Sequence, residues 1–472
     1  MKFTIQTKLT STVGMALLLA GLFSMSACKK EAVTQLVPTE PTALAGDPNA
    51  VMMMTAGANY MPNEVLVKFR KGISPTNKGL AIARMRATVQ EVILTKAMQA
   101  SGEAEGIYLM KMPTGVMEAI QGFKNLPEVE YAEPNFIYTH CAASNDPYFT
   151  NGSLWGMYSI GSTPANAYGV SAVTAWANGK TGSNEVIVAV IDEGVMNTHT
   201  DLAANCWINP YDKFGDKIDN DGNGYKDDKW GWDFAGNNNT TYDGVADDHG
   251  THVAGTIGAV GGNSKGVAGV NWNIKMISCK FLGSTGGTTA NAIKAIDYVT
   301  NLKKAKSLNI VATNNSWGGG GFSQALKDAI DRADAQNILF VAAAGNNGGN
   351  NDVIASYPAS YTSANVIAVA AIDNTGNLAS FSQYGATSVD IGAPGVGIFS
   401  TLPTSRNAST YGSYNGTSMA TPHVTGAVAL YASLHAGSTA AQIKAAVLGS
   451  AVATASLTGK CTTGGRVDVS SY

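Results

Sequence analysis

The sequence predicts an α/β fold, a three-layer sandwich on a mainly parallel sheet, preceded by a small α+β unit. Short apolar runs recur at residues 186–191, 275–282, 309–314, 338–343 and 366–371. Parallel strands buried on both faces read as continuous apolar runs of this kind. Helix-length stretches at 289–305 and 323–335 lie between them, so strand and helix alternate as in a doubly wound sheet. The chain has 472 residues, 45% hydrophobic and 14% charged, enough for two or three domains and one large core.

The first residues read as an export signal. Lys2 and Lys8 precede an apolar stretch over 13–23, and Ser26-Ala27 stand directly before Cys28. Small residues before a cysteine resemble a bacterial lipoprotein signal (1–28), in which Cys28 would carry the lipid; the alternative is an ordinary secretory signal with an incidental cysteine. Residues 29–59, rich in Ala, Thr, Pro and Gly and without helical or alternating period, read as a linker. Residues 64–70 alternate as a strand, 106–112 form another, and a helix-like stretch ends near Leu126 before Val129-Glu130-Tyr131-Ala132-Glu133-Pro134-Asn135.

The formal net charge of −3 and the lack of Lys/Arg runs give no reason to expect nucleic acid. Cys141, Cys206, Cys279 and Cys461 would meet an oxidising compartment after export, and four cysteines allow three pairings.

The chemistry is carried by three motifs: Val190-Ile191-Asp192-Glu193-Gly194, His249-Gly250-Thr251-His252-Val253-Ala254-Gly255 and Gly416-Thr417-Ser418-Met419-Ala420-Thr421-Pro422-His423. A serine hydroxyl is a weak nucleophile, needs an imidazole base, and that base needs a carboxylate to fix its tautomer. Asp192 ends an apolar strand, His249 opens a Gly-containing helix start, and Ser418 begins an apolar helix over about 417–434. The alternatives are a turn Asp, a zinc pair His249/His252 and a plain serine cap. No Glu sits where a His-Glu-x-x-His zinc helix needs one.

The order Asp, His, Ser, on these motifs, resembles the subtilisin-like serine proteases. The resemblance covers the chain from about Asp146 and implies a catalytic domain over 141–472 and an acyl-enzyme endopeptidase. It implies Asp192, His249 and Ser418 as the triad and Asn346, in Ala344-Gly345-Asn346-Asn347-Gly348, as a side-chain oxyanion donor beside the Ser418 N–H. By the same resemblance, residues 60–140 are an inhibitor-type propeptide, and the enzyme cuts itself between about Tyr138 and Ser153. Leu282, Gly283, Gly286 and Gly287 would form one edge of the substrate cleft and Ser316, Trp317 and Gly318 the other. Trp317, Ala343 and Gly345 would wall an apolar pocket, which implies a large apolar residue before the scissile bond. Expected partners are protein or peptide substrates and the chain's own propeptide, with the membrane reached only through a lipid on Cys28; a monomer is expected.

The densest acidic, Gly-rich stretch runs from Asp216 to Asp228. Asp219, Asp221, Asn223, a Gly in sixth place (Gly224) and the Tyr225 carbonyl follow the pattern of a calcium loop, with Asp216, Asp227 or Asp228 available to complete a shell. The twelfth position is Trp230 and not Glu, so it is not a complete EF-hand, and a solvated acidic turn is the alternative.

Overall fold

The computed structural model describes residues 60–136, 144–405 and 407–472. The export segment, Cys28, the linker and Cys141 lie outside the described residues. Two compact units meet in sequence between Phe136 and Ile137.

In the smaller unit four antiparallel strands lie in the order Thr88–Ile93, Ile107–Lys111, Tyr60–Phe69, Val129–Phe136. The alternation of Tyr60–Phe69 places Val65, Val67 and Phe69 inward, against Ile120 and Phe123 of the helix Val116–Lys124. The sequence reading found these elements but missed the helix Pro75–Arg84 and the strand Thr88–Ile93. The helix carried its own start signal, Ser74 accepting from Asn77 N with Pro75 in the first turn. The strand is exposed over nearly all its length, so no buried face imposes a pattern.

The larger unit is built on a nine-stranded sheet. Its order is Val452–Ala453, Gly465–Arg466, Ile391–Pro394, Val366–Ile372, Leu339–Ala343, Ile310–Asn315, Gly182–Asp192, Asn273–Lys280, Gly231–Asp233. All neighbours are parallel except the first pair. The central strand shows why its sequence is apolar throughout. Val186, Val188 and Val190 join one core with Val253 and Ile257 of the helix Asp248–Gly258 and with Val424 and Val428 of the helix Thr417–Leu434. Ile187, Ala189 and Ile191 face a second core with Ile296 and Val299 of Thr289–Lys306 and Ile330 of Gln324–Asp334. A strand covered by helices on both sides has no wet face to encode, and the predicted α/β sandwich is the fold observed.

One expectation changes. Cys206, Cys279 and Cys461 are buried free thiols. Every pairing pattern open to four cysteines joins two of these three, so none of the three patterns is formed. Among the described residues no helix is long and apolar enough to cross a membrane.

Phe340, fully buried with its ring edge-on to Trp317 at 6.2 Å, lies in the second core. Phe340→Ala should destabilise the larger unit by about 3–5 kcal/mol, read as a lowered urea midpoint with an unchanged slope; a midpoint within error of the parent would contradict this packing.

Candidate active site

From Gly182–Asp192 the chain moves to the edge strand Gly231–Asp233 and the neighbouring Asn273–Lys280 on one side, then crosses to Ile310–Asn315 on the other, a switch in the sheet order. Ligands of open α/β sheets lie outside the carboxyl ends of strands at such a switch point. Asp192 is the last residue of its strand, Ser316 follows Asn315, and Gly345-Asn346 follow the end of Leu339–Ala343.

Asp192 is fully buried. Its Oδ1 accepts from His249 Nδ1 at 2.8 Å and from Glu193 N at 2.9 Å, whereas its Oδ2 has no hydrogen-bond partner. A buried, incompletely satisfied carboxylate favours a cation beside it. Burial pulls the His249 imidazole down, but the charge and hydrogen bond of Asp192, then Glu193 and Asp248, outweigh it and push His249 up to about 9. With Nδ1 on the carboxylate, His249 Nε2 is the nitrogen left for a reacting proton.

Ser418 lies in the first turn of Thr417–Leu434, where its N–H has no intrahelical acceptor. Its Oγ donates to Ser316 O at 3.1 Å, and Ser316 Oγ donates back to Ser418 O at 2.8 Å. Asn346 Oδ1 accepts from both N and Oγ1 of Thr417, at 2.8 and 2.9 Å, which fixes its amide plane. A methyl group on Gly416 would sit 3.5 Å from Ser418 N and 3.6 Å from Asn346 Nδ2. Two N–H donors therefore flank one small space beside Ser418, an arrangement that can hold a developing negative charge.

A cavity of about 280 Å³ opens beside them, lined by Trp317, Gly318, Ala343, Gly345, Asn346 and Ser418. Its wall is apolar as expected, but Ser356 and Gln383 bring polar groups to it. A second cavity, of about 380 Å³, lies between the short antiparallel pair Leu282–Gly283 and Gly286–Gly287 and the run Trp317–Gly321. Leu282, Gly286, Gly287, Trp317 and Gly318 line it. Gly283 lies in the pair but outside the cavity lining, and Ser316 serves instead as the hydrogen-bond partner of Ser418.

Comparison with known proteins agrees with this geometry. The pattern described as "Subtilase family" matches residues 183–467, and a fervidolysin N-terminal prodomain matches 46–135. The chain belongs to the subtilase family. It is a subtilisin-like serine protease with an N-terminal prodomain. A thermophilic serine proteinase of Bacillus sp. (strain AK1) is 34% identical over 375 residues, 79% of either chain. Subtilisin DY of Bacillus licheniformis is 39% identical over 282 residues, 59% of this chain and 88% of that one. A solved protease of Pseudoalteromonas arctica PAMC 21717 covers 70% of this chain and 98% of its own, with 28% identity and a TM-score of 0.54.

Subtilases commonly bind structural calcium. In this subtilase the Asp219 carboxylate accepts from the amides of Gly222, Asn223 and Gly224, which hold it below the usual range despite some burial. Asn223 N contacts both Asp219 and Asp221 at 3.1 Å, so those two carboxylates stand together. Burial, with a contribution from Asp221, pushes Asp228 up to about 7. Crowded oxygen donors of this kind suit a hard cation. Asp216 and Asp227 likewise accept backbone amides, from Ile218 N at 2.9 Å and Gly215 N at 2.6 Å. Among the described residues no three His, Cys, Asp or Glu side chains come close enough together to hold a metal ion.

The zinc alternative loses its second ligand. His252 is buried, and its Nε2 is turned to the carbonyls of Ile398 and Gly412, at 2.9 and 3.2 Å, on the antiparallel hairpin of Ile398–Ser405 and Ala408–Tyr414 that packs over the helix Asp248–Gly258. Sequence reasoning gave no role to Glu193 or to the buried Asp146 and Asp201, which hold the 262–267 loop by its amides. Asp-Glu adjacency at the end of an apolar strand was the available signal for Glu193.

Asp192→Asn should bring the His249 titration, followed by NMR of its ring protons, well down from about 9, because burial is then opposed only by the charges of Glu193 and Asp248. In the parent a raised imidazole stabilises the fold fully below about 6.5 and loses that contribution as pH rises toward about 9. An unchanged titration in the variant would contradict the pairing.

Proposed function

We propose that the chain is an exported endopeptidase, made as a self-processing precursor, that cleaves proteins through an acyl-enzyme on Ser418. The observations that carry this reading are the His249–Asp192 contact of 2.8 Å and a serine flanked by two N–H donors. The Ser418 hydroxyl turns from the Ser316 carbonyl to His249 Nε2, which takes its proton as Oγ attacks the peptide carbonyl. Asp192 stabilises the imidazolium, and Ser418 N–H and Asn346 Nδ2 receive the oxyanion. His249 then gives the proton to the leaving amine, and water repeats the sequence to release the acid. Catalytic hydrogen bonds are often completed only with substrate present, so the resting orientation of Ser418 is compatible with this path.

Extended peptide backbone would lie between Leu282–Gly287 and Ser316–Gly318. The cavity beside Ser418 would take a large apolar side chain, with Ser356 and Gln383 admitting a polar end. The expected processing window, Tyr138 to Ser153, narrows to its beginning. Asp146 is fully buried and accepts from Gly262 and Asn263 amides, and Phe149 belongs to the core, so a cut after Asp146 would remove a structural anchor and a cut before it would not. Such a cut separates the triad from Cys28, the proposed lipid site, and no cysteine pairing of Cys206, Cys279 or Cys461 stands in the way. For calcium, the donors proposed are Asp219, Asp221, Asn223 and the Tyr225 carbonyl, where the ion would tie the insertion together.

Ser418→Ala should abolish casein hydrolysis and leave the precursor at full length on a gel. Residual hydrolysis, or continued self-cleavage of the purified variant, would sink the assignment. Removing calcium with EGTA should lower the melting temperature of the Ser418→Ala protein by several degrees, and Asp219→Ala should erase the difference; identical melting curves with and without chelator would remove the site.

A further inference from the structure

We propose that Glu193 is a positioning residue for the general base, holding the main chain of His249 while Asp192 holds its ring. His249 N donates to Glu193 Oε1 at 2.5 Å, and Glu193 N donates to Asp192 Oδ1 at 2.9 Å. With the His249 Nδ1–Asp192 Oδ1 contact of 2.8 Å, the three residues close a cycle of hydrogen bonds. The imidazole is thus fixed at both ends, by its ring nitrogen and by its own backbone. A hydrogen bond to a carboxylate is stronger than a neutral one, and the His249 N–H is an orphan donor at the positive end of the helix Asp248–Gly258.

The surroundings aim the Glu193 side chain at this place. The turn after it uses Gly194 at φ +124°, where a methyl group would meet Thr241 O at 2.6 Å. A methyl on Gly250 would meet Gly194 O at 2.3 Å, so the helix start and the strand end touch through glycines. Behind Glu193, Lys280 Nζ donates to its carbonyl at 2.6 Å and to Asp247 Oδ1 at 2.5 Å, just ahead of the helix. Strand end, helix start and the neighbouring strand are tied together around one side chain.

The charged groups that face Glu193 are Asp192 from its own strand, Asp248 and His249 from the helix, Tyr414 from the hairpin, which donates to Asp248 Oδ2 at 2.7 Å, and Lys280, which also pairs with Asp243 and Asp247. Burial, then the Asp192 charge, pushes Glu193 up to about 7 against the hydrogen bond from His249. Ionised Glu193 in turn helps to raise His249. It therefore favours the imidazolium that forms as Ser418 attacks.

The proposal rests on His249 being the general base, and its test separates the two. In the mature enzyme, Glu193→Gln keeps an acceptor for His249 N and removes the charge, whereas Glu193→Ala removes both. With a chromogenic peptide, Glu193→Ala should lower kcat about tenfold with little change in KM. Glu193→Gln should recover most of that loss, with the acid limb of its kcat/KM profile moved to lower pH by about half a unit or more, since the imidazole loses a neighbouring negative charge. Superimposable pH profiles with unchanged kcat in both variants would overturn the proposal. So would losses in both that track only a fall in melting temperature. His249→Ala in parallel isolates the underlying assignment: an active His249→Ala enzyme overturns the general base itself, while an inactive one alongside unaffected Glu193 variants overturns the positioning role alone.

Discussion

The constraint on which the rest turns is a carboxylate that the fold keeps out of water. Asp192 terminates the strand that both cores share, so its side chain leaves the sheet where neither core admits charge. One oxygen is satisfied twice, by His249 and by the next backbone amide, and the other is left without a partner. Such a group is costly unless a positive charge forms beside it. In the proposed reaction that charge forms transiently on the imidazole, so the fold carries the cost before substrate arrives.

Keeping that pair in register requires backbone contacts closer than side chains would allow. Gly250 and Gly194 bring helix and strand end together, and Gly416 leaves clear the space between Ser418 N and Asn346 Nδ2. Asn346 is itself fixed by Thr417, the neighbour of the serine it faces, so the two donors move together. Ser316 and Ser418 exchange hydroxyl-to-carbonyl bonds, which joins the proposed substrate edge to the helix of the proposed nucleophile.

Much of this was legible in the sequence because strong, separate signals reported it. The doubly buried strands imposed unbroken apolar runs, and Gly182–Asp192, Leu339–Ala343 and Val366–Ile372 fell where those runs lay. The triad motifs are short and each sits at an element boundary, so order alone carried information. What was lost lacked a periodic or compositional mark. The exposed strand Thr88–Ile93 has no buried face to encode, and the free thiols look the same in sequence as paired ones. In the acidic insertion, composition could count oxygen donors but could not say which already accept backbone amides, as those of Asp216, Asp219 and Asp227 do.

The surroundings of His249 set two demands in opposition. A base must be neutral to accept a proton, yet Asp192, Glu193 and Asp248 all favour its charged form. Burial restores part of the balance, because the same enclosure that strengthens these interactions also penalises the imidazolium. The anionic neighbours do not act alike. Asp192 bonds the ring directly, Asp248 is held by the Tyr414 hydroxyl, and Glu193 holds the backbone beneath the ring. Glu193, raised toward neutrality by burial and by Asp192, is thus the member of the set whose charge can follow the pH near 7. A site arranged this way stabilises the imidazolium most strongly on the alkaline side of neutrality, where Glu193 is ionised and the imidazolium approaches its own deprotonation near pH 9.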